Sequence, residues 1–232
     1  MMKKKILGLI PAKGGSTRLP RKNILPLRGK PMLQWAGDAL RASGLCRRIV
    51  VSTEDEEIAG IARDAGFDVP YVRPLSLARD PAGVEEVALH CLETLKSRGE
   101  LYDILIITLP TSPFVTAKDF KAAYKIFQEQ TADFLMSVSL YEHTPFAALK
   151  LENKMVSPWF PKYFGRKSQD MPNAYRPNGA IHILSIPAFE KTKSYVSAPL
   201  YAYDMPWPRG LDIDTAADFA LAEALLQSGG IW

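Results

Sequence analysis

The chain has 232 residues, of which 47% are hydrophobic and 23% charged, with a formal net charge of +4. This is ordinary globular composition, and the length suits one domain with a sizeable core. So small a net charge sets aside any requirement for a nucleic-acid partner. Its distribution is uneven, because nine Lys and Arg precede the first acid, Asp38, and such a patch attracts polyanions of any kind.

The opening "MMKKKILGLIPAK" begins like a signal peptide. Its apolar part is only Ile6–Ile10, and Pro11 halts it, too short for a signal core or a membrane span. The expectation is a soluble, cytoplasmic protein without a membrane partner. Ile6–Ile10, Ile49–Val51 and Ile104–Leu109 are short β-branched runs, expected as strands buried on both faces of a parallel sheet. Helical spacing covers Pro31–Ser43, stopped by Gly44, and Glu54–Ala65, stopped by Gly66. Val84, Val87, Ala88, Cys91, Leu92 and Leu95 form a helical stripe. Thr116–Gln130 and Thr215–Gln227 each open with Thr and an Asp three residues on, a variant of the capping box. Cys46 and Cys91 match no metal or redox spacing and read as reduced core thiols. The alternation predicts an α/β fold with a mostly parallel sheet and helices on both faces, as a single domain over 1–232. Tyr141–Arg176 breaks the rhythm. It is rich in Pro, aromatics and Lys and too long for a plain connection, so it reads as a lid or as an arm packing on a partner subunit.

Four motifs carry chemistry. "IPAKGGSTRLPRKN", Ile10–Asn23, follows the first strand, where α/β proteins bind ligands. Gly14 and Gly15 admit close approach and an anion nest, and Lys13, Arg18, Arg21 and Lys22 add charge, which suits a polyphosphate. It is neither a Walker A loop nor G-x-G-x-x-G. In "LDIDT", Asp212 and Asp214 lie two apart. In extended chain both carboxylates reach one hard cation such as Mg²⁺; equally, Asp214 simply starts the helix capped by Thr215. "LPTSP", Leu109–Pro113, is either a hydroxyl-bearing ligand loop or a plain strand-to-helix turn. In "YRPNGAIHI", Arg176 is able to clamp a carboxylate in bidentate fashion, or it and Asn178 are a surface arginine and a turn asparagine. His90, His143 and His182 form no metal spacing.

Together these motifs resemble the acylneuraminate cytidylyltransferases, or CMP–sialic acid synthetases. The family's I-P-A-R-G-G-S-K-x-x-P-x-K-N stands here as "IPAKGGSTRLPRKN", its Q-P-T-S-P as "LPTSP", its S-Q-D-x-P…R-x-N-G-A-I-Y as "SQDMPNAYRPNGAIH", and its D-I-D-T as Asp212–Thr215. The resemblance implies a Rossmann-like nucleotide-diphospho-sugar transferase fold and a homodimer, with 141–176 as the dimerisation arm. It implies CTP and a 2-keto-3-deoxy sugar acid as substrates, and CMP-sugar and pyrophosphate as products. By position, Ala12, Lys13, Gly14, Ser16, Arg18, Lys22, Asn23 and Arg73 would hold the nucleotide. Arg176, Asn178, Leu109 and Thr111 would face the sugar. Asp212 and Asp214 would bind Mg²⁺ and, with Lys22 and Lys13, carry the chemistry. Lys13 stands for the usual arginine, Thr17 for lysine, Gly83 for Ser or Thr, and Leu109 for the glutamine that touches sugar in related enzymes. Alternatives are an enzyme for the eight-carbon acid Kdo and a non-catalytic nucleotide- or sugar-binding homologue. A nucleic-acid binder ranks last, since Lys3–Lys30 holds no aromatic to stack on bases.

Overall fold

The computed structural model describes residues 4–229. In chain order the elements are β1 (Ile6–Pro11), β2 (Pro26–Leu27), β3 (Lys30–Pro31), α1 (Met32–Ser43), β4 (Arg48–Ser52) and α2 (Glu56–Asp64). Then come α3 (Val84–Ser97), β5 (Ile104–Ile107), α4 (Ala117–Glu129), β6 (Phe134–Leu140), β7 (Leu149–Glu152) and β8 (Met155–Pro158). The chain continues through β9 (Tyr175–Ser185), α5 (Ile186–Thr192), β10 (Leu200–Asp204) and α6 (Ala216–Ser228).

Six strands form one sheet in the order β10-β6-β9-β5-β1-β4. β9 runs antiparallel to β5 and β6, and the other neighbours are parallel. The two-residue period of a strand divides the core. Ile6, Ile104 and Ile106 face Leu40 of α1 and Phe120 and Phe127 of α4. Leu7, Leu105 and Ile107 face Cys91 and Leu95 of α3 and Phe189 of α5. Both faces are therefore covered, which is why the strands read as unbroken apolar runs.

The capping boxes at Thr116/Asp119 and Thr215/Asp218 form as expected. Three boundaries differ from expectation. The helix expected from Glu54 starts at Glu56, because Asp55 caps it by accepting from Ile58 N, which leaves Glu54 outside the helix. Pro31 stands at the N-cap of α1, paired with Pro26, instead of inside the helix. The central ladder ends at Ile107, so Leu109 lies in the loop beyond it. Between Tyr141 and Ala174, closed by Tyr141 N donating to Ala174 O, the chain leaves the sheet and folds the β7–β8 hairpin. Arg176 already belongs to β9, opposite Ser139.

Candidate active site

Parallel strands deliver their ends to one edge of a sheet, and ligands bind at that edge. Here β1, β4, β5 and β10 lead into the loops 12–23, 53–55, 108–116 and 205–215. Because β9 is antiparallel, it brings its beginning, Arg176 and Asn178, to the same edge.

Loop 12–23 is held from below. Ala12 is fully buried and its N–H donates to Ser52 O, so it belongs to the core wall. Asn23 is buried and its amide donates to Lys13 O at 2.8 Å. Gly14 N donates to Glu54 Oε1 at 2.7 Å. A side chain at Gly14 would fall 2.5 Å from Asp55 Oδ2, so only glycine fits against this acid. Lys22 and Arg18 converge on Asp214, at 2.5 and 2.6 Å. Arg21 pairs with Asp55 and Glu57. Lys13 has no ion pair among the described residues and lines two adjoining cavities with Lys22. One, about 120 Å³, is bounded by Ser16, Thr17, Arg18 and Asp214. The other, about 200 Å³, is bounded by Asn23, Arg73, Gly83, Leu109 and Thr111.

The two aspartates differ in state. Burial raises the Asp212 carboxyl above its ordinary value and the Asp214 charge adds to this, against the Thr111 hydroxyl, Lys22 and Arg176. Burial also pushes Asp214 upward, but Lys22 and Arg18 outweigh it, and its carboxyl lies below the ordinary value. Asp212 Oδ1, Ser16 Oγ and Arg73 Nε are buried with no hydrogen-bond partner. Unpaired buried polar atoms are rare and costly, and three around one cleft point to a polar ligand. Among the described residues no group of three or more His, Cys, Asp or Glu gathers to enclose a metal. A pair of carboxylates with a free oxygen instead suits Mg²⁺, which takes one or two carboxylates and completes its shell with phosphate and water oxygens.

The remaining expected residues divide. Arg176 lines a third cavity, about 780 Å³, with Tyr141, His143, Asp204, Trp207 and Gly210. Asn178 is 2% exposed. Its amide donates to Ser139 Oγ and accepts from Ser137 Oγ and Ala180 N, so it braces β6 against β9. Thr111 O accepts from Ile213 N and ties the "LPTSP" loop to the aspartate loop. Arg73, 3% exposed, pairs with Glu54. Sequence reasoning missed Glu54 and Asp55; the available signal was a pair of acids directly after β4, at the ligand edge. It also missed Asp119, which accepts from Tyr203 Oη at 2.7 Å and Arg209 Nε at 3.1 Å and so anchors the loop leading to Asp212.

A parallel-dominated α/β sheet with a basic glycine loop facing two carboxylates defines a nucleotide-binding transferase of the nucleotidyl-transfer class. A family model described as cytidylyltransferase matches residues 7–227, and the chain belongs to the cytidylyltransferase family, on its acylneuraminate, nonulosonate branch. It is 32% identical over 222 residues to the pseudaminic acid cytidylyltransferase of Campylobacter jejuni, covering 95% of this chain and 96% of that one. It is 31% identical over 226 residues to the CMP-N,N'-diacetyllegionaminic acid synthase of Legionella pneumophila, covering 96% and 97%. Similarity to the N-acylneuraminate cytidylyltransferase of Escherichia coli is 30% over 227 residues, 97% of this chain and 53% of that one. Among solved structures, a CMP:2-keto-3-deoxy-manno-octonic acid synthetase complexed with CTP superposes with a TM-score of 0.71 at 16% identity, covering 97% and 99%. That likeness establishes the Rossmann-like fold.

Proposed function

We propose that this enzyme joins CTP to a nine-carbon 2-keto-3-deoxy acidic sugar of the sialic, legionaminic or pseudaminic type, giving CMP-sugar and pyrophosphate. The observation that carries this reading is the convergence of Lys22 and Arg18 on Asp214 beside the unpartnered Ser16 Oγ and Asp212 Oδ1. The activities named for the relatives at 31–32% identity support the sugar class.

In this reading the triphosphate lies along loop 12–23, and the nucleoside fills the cavity bounded by Asn23, Arg73 and Gly83. Lys13, Arg18 and Lys22 neutralise the phosphates, the main demand of such a transfer. The anomeric hydroxyl oxygen bonds to the α-phosphorus, the bond to the β-phosphate's bridging oxygen breaks, pyrophosphate leaves, and the hydroxyl proton passes to solvent. In the free protein Asp214 occupies Lys22 and Arg18; a triphosphate offers both a replacement anion and releases Asp214. Asp212 and Asp214 are the residues fitted to hold Mg²⁺, which when bound supplies charge neutralisation and polarises the attacking hydroxyl. Arg176 takes the sugar's carboxylate, and the adjoining cavity receives its substituents. Leu109 and Thr111 line the sugar's path, and Leu109 offers a contact with no hydrogen bond. Asn178 serves the sugar site from behind, as a brace.

A homodimer completes the reading. Leu151, Met155, Val156, Trp159 and Phe164 are more than half exposed on the 141–174 excursion, an apolar surface that a second copy would cover. Sedimentation at micromolar concentration is expected to give a dimer, and substituting Trp159 and Phe164 by Asp a monomer. Among the described residues no helix is long and apolar enough to cross a membrane. Cys46 and Cys91 are free thiols whose pKa values burial raises to about 12 and about 11, which fits a reducing cytoplasm where CTP is made.

The test is pyrophosphate release with CTP, Mg²⁺ and a panel of Neu5Ac, legionaminic acid, pseudaminic acid, the deaminated nine-carbon acid and Kdo. Turnover on one nonulosonate is expected. Turnover on Kdo alone, or none at all with CTP bound, sinks the reading.

A further inference from the structure

We infer that Glu54 is a positioning residue for nucleotide binding, holding the backbone of the glycine loop and the buried Arg73 with one carboxylate. The inference rests on the proposed CTP site and adds a residue that the motif pattern does not contain.

Glu54 stands between the end of β4 and the Asp55 cap of α2. Its side chain is 10% exposed, and that of Arg73 is 2% exposed. Oε1 accepts from Gly14 N at 2.7 Å, and Oε2 pairs with the Arg73 guanidinium. Arg73 N in turn donates to Thr53 O at 2.9 Å. A carboxylate this buried persists only where charge-assisted hydrogen bonds take up its oxygens, and here both oxygens are used.

Three consequences follow for the loop. The Gly14 N–H is committed to the protein, so Gly14 contributes to the site through its path and not as a phosphate donor. The next residue, Asp55, packs on Gly14 and pairs with Arg21 at the far end of the loop. Arg21 has φ 56°, a left-handed backbone that non-glycine residues rarely adopt without support. One short acidic segment thus fixes both ends of a loop whose cations would otherwise repel one another. Lys13 is the cation it leaves unpaired, on the side of the two cavities.

The test compares E54A and E54Q with wild type by direct CTP titration, by KM for CTP and for the sugar, and by Tm. E54A is expected to weaken CTP binding about tenfold or more, as loss of a charge-assisted hydrogen bond would, with the sugar KM within about twofold. E54Q keeps an acceptor for Gly14 N and is expected to recover to within about threefold of wild type. Unchanged CTP affinity in E54A overturns the inference. So does tighter binding, which would make Glu54 a competitor of phosphate, and so does an E54Q as impaired as E54A. A second measurement needs only the wild-type chain. Gly14 amide exchange is expected to be slow and to stay slow with CTP bound; if CTP abolishes that protection, the inference fails. A wild-type enzyme that binds CTP but turns over no acidic sugar removes the proposed reaction, while the binding comparison still decides on Glu54. No CTP binding at all removes both.

Discussion

At the scale of single residues, the site is an exchange of ionic partners. Asp214 draws together Lys22 from the start of a 3₁₀ turn and Arg18 from the loop before it. Asp214→Ala is expected to lower kcat by at least about a hundredfold, the scale of losing one charge-stabilising group, with an unchanged circular dichroism spectrum. Near-wild-type turnover with Mg²⁺ would remove Asp214 from the chemistry. Lys22→Ala is expected to lower kcat more than it raises the sugar KM, because the pyrophosphate it would neutralise carries its full charge only late in the transfer. Steady-state kinetics at saturating CTP separate the two effects, and an unchanged kcat excludes that role. These residues were legible in the sequence because small residues and cations right after a first strand have few structural uses. The acids that organise them were not. Glu54 and Asp55 look like the first turn of a helix, and only the Asp55 cap and the Gly14 N–H separate their tasks.

At the scale of elements, Asp119 links helix start to catalytic loop. It is 1% exposed, completes the α4 capping box, and accepts from Tyr203 on β10 and from Arg209. Gly210 follows, and a side chain there would lie 2.0 Å from Ser139 Oγ. The loop carrying Asp212 is therefore pinned on two sides before it reaches the cleft. Asp119→Ala is expected to cost about 2–4 kcal/mol, from a lost cap of about 1 kcal/mol and charged hydrogen bonds of about 1.5–3 kcal/mol. Urea unfolding measures it, and a loss below about 0.5 kcal/mol would reduce Asp119 to an ordinary surface acid. The long, uniformly apolar or clearly periodic elements, β1, β5 and the helices α1 to α4, were visible in the sequence. β6 and β10 were not. β6 mixes serines into "FLMSVSL", since Ser137 and Ser139 bind Asn178 across the ladder, and β10 is an edge strand of alternating exposure. Their identity depends on contacts remote in sequence.

At the scale of the molecule, acid sensitivity has an identifiable source. His182 is buried in the middle of β9 against Tyr195, and burial lowers its pKa from 6.5 to about 4. The unfolded chain takes up a proton there near pH 6.5 and the folded chain does not. Stability is therefore greatest above that pH and falls as the pH drops towards 4, by on the order of 3 kcal/mol from this group. His182→Phe is expected to flatten that part of the stability profile relative to wild type. Parallel profiles for the two proteins between pH 6.5 and 4.5 would assign the acid sensitivity elsewhere.

The antiparallel strand that completes the cleft also dictates an order of events during synthesis. β9 fills the gap between β5 and β6, yet it is made after both. Until residue 185 has left the ribosome, the apolar edge at Ile104–Ile107 has no neighbour on that side and stands open to any other chain. The excursion over 141–174 lengthens that wait, and the pairing that ends it spans a large sequence separation, the kind that folds slowly. A nascent or truncated chain ending before β9 is thus the form of this protein most dependent on chaperones, and the same strand that delivers Arg176 to the substrate seals the sheet last.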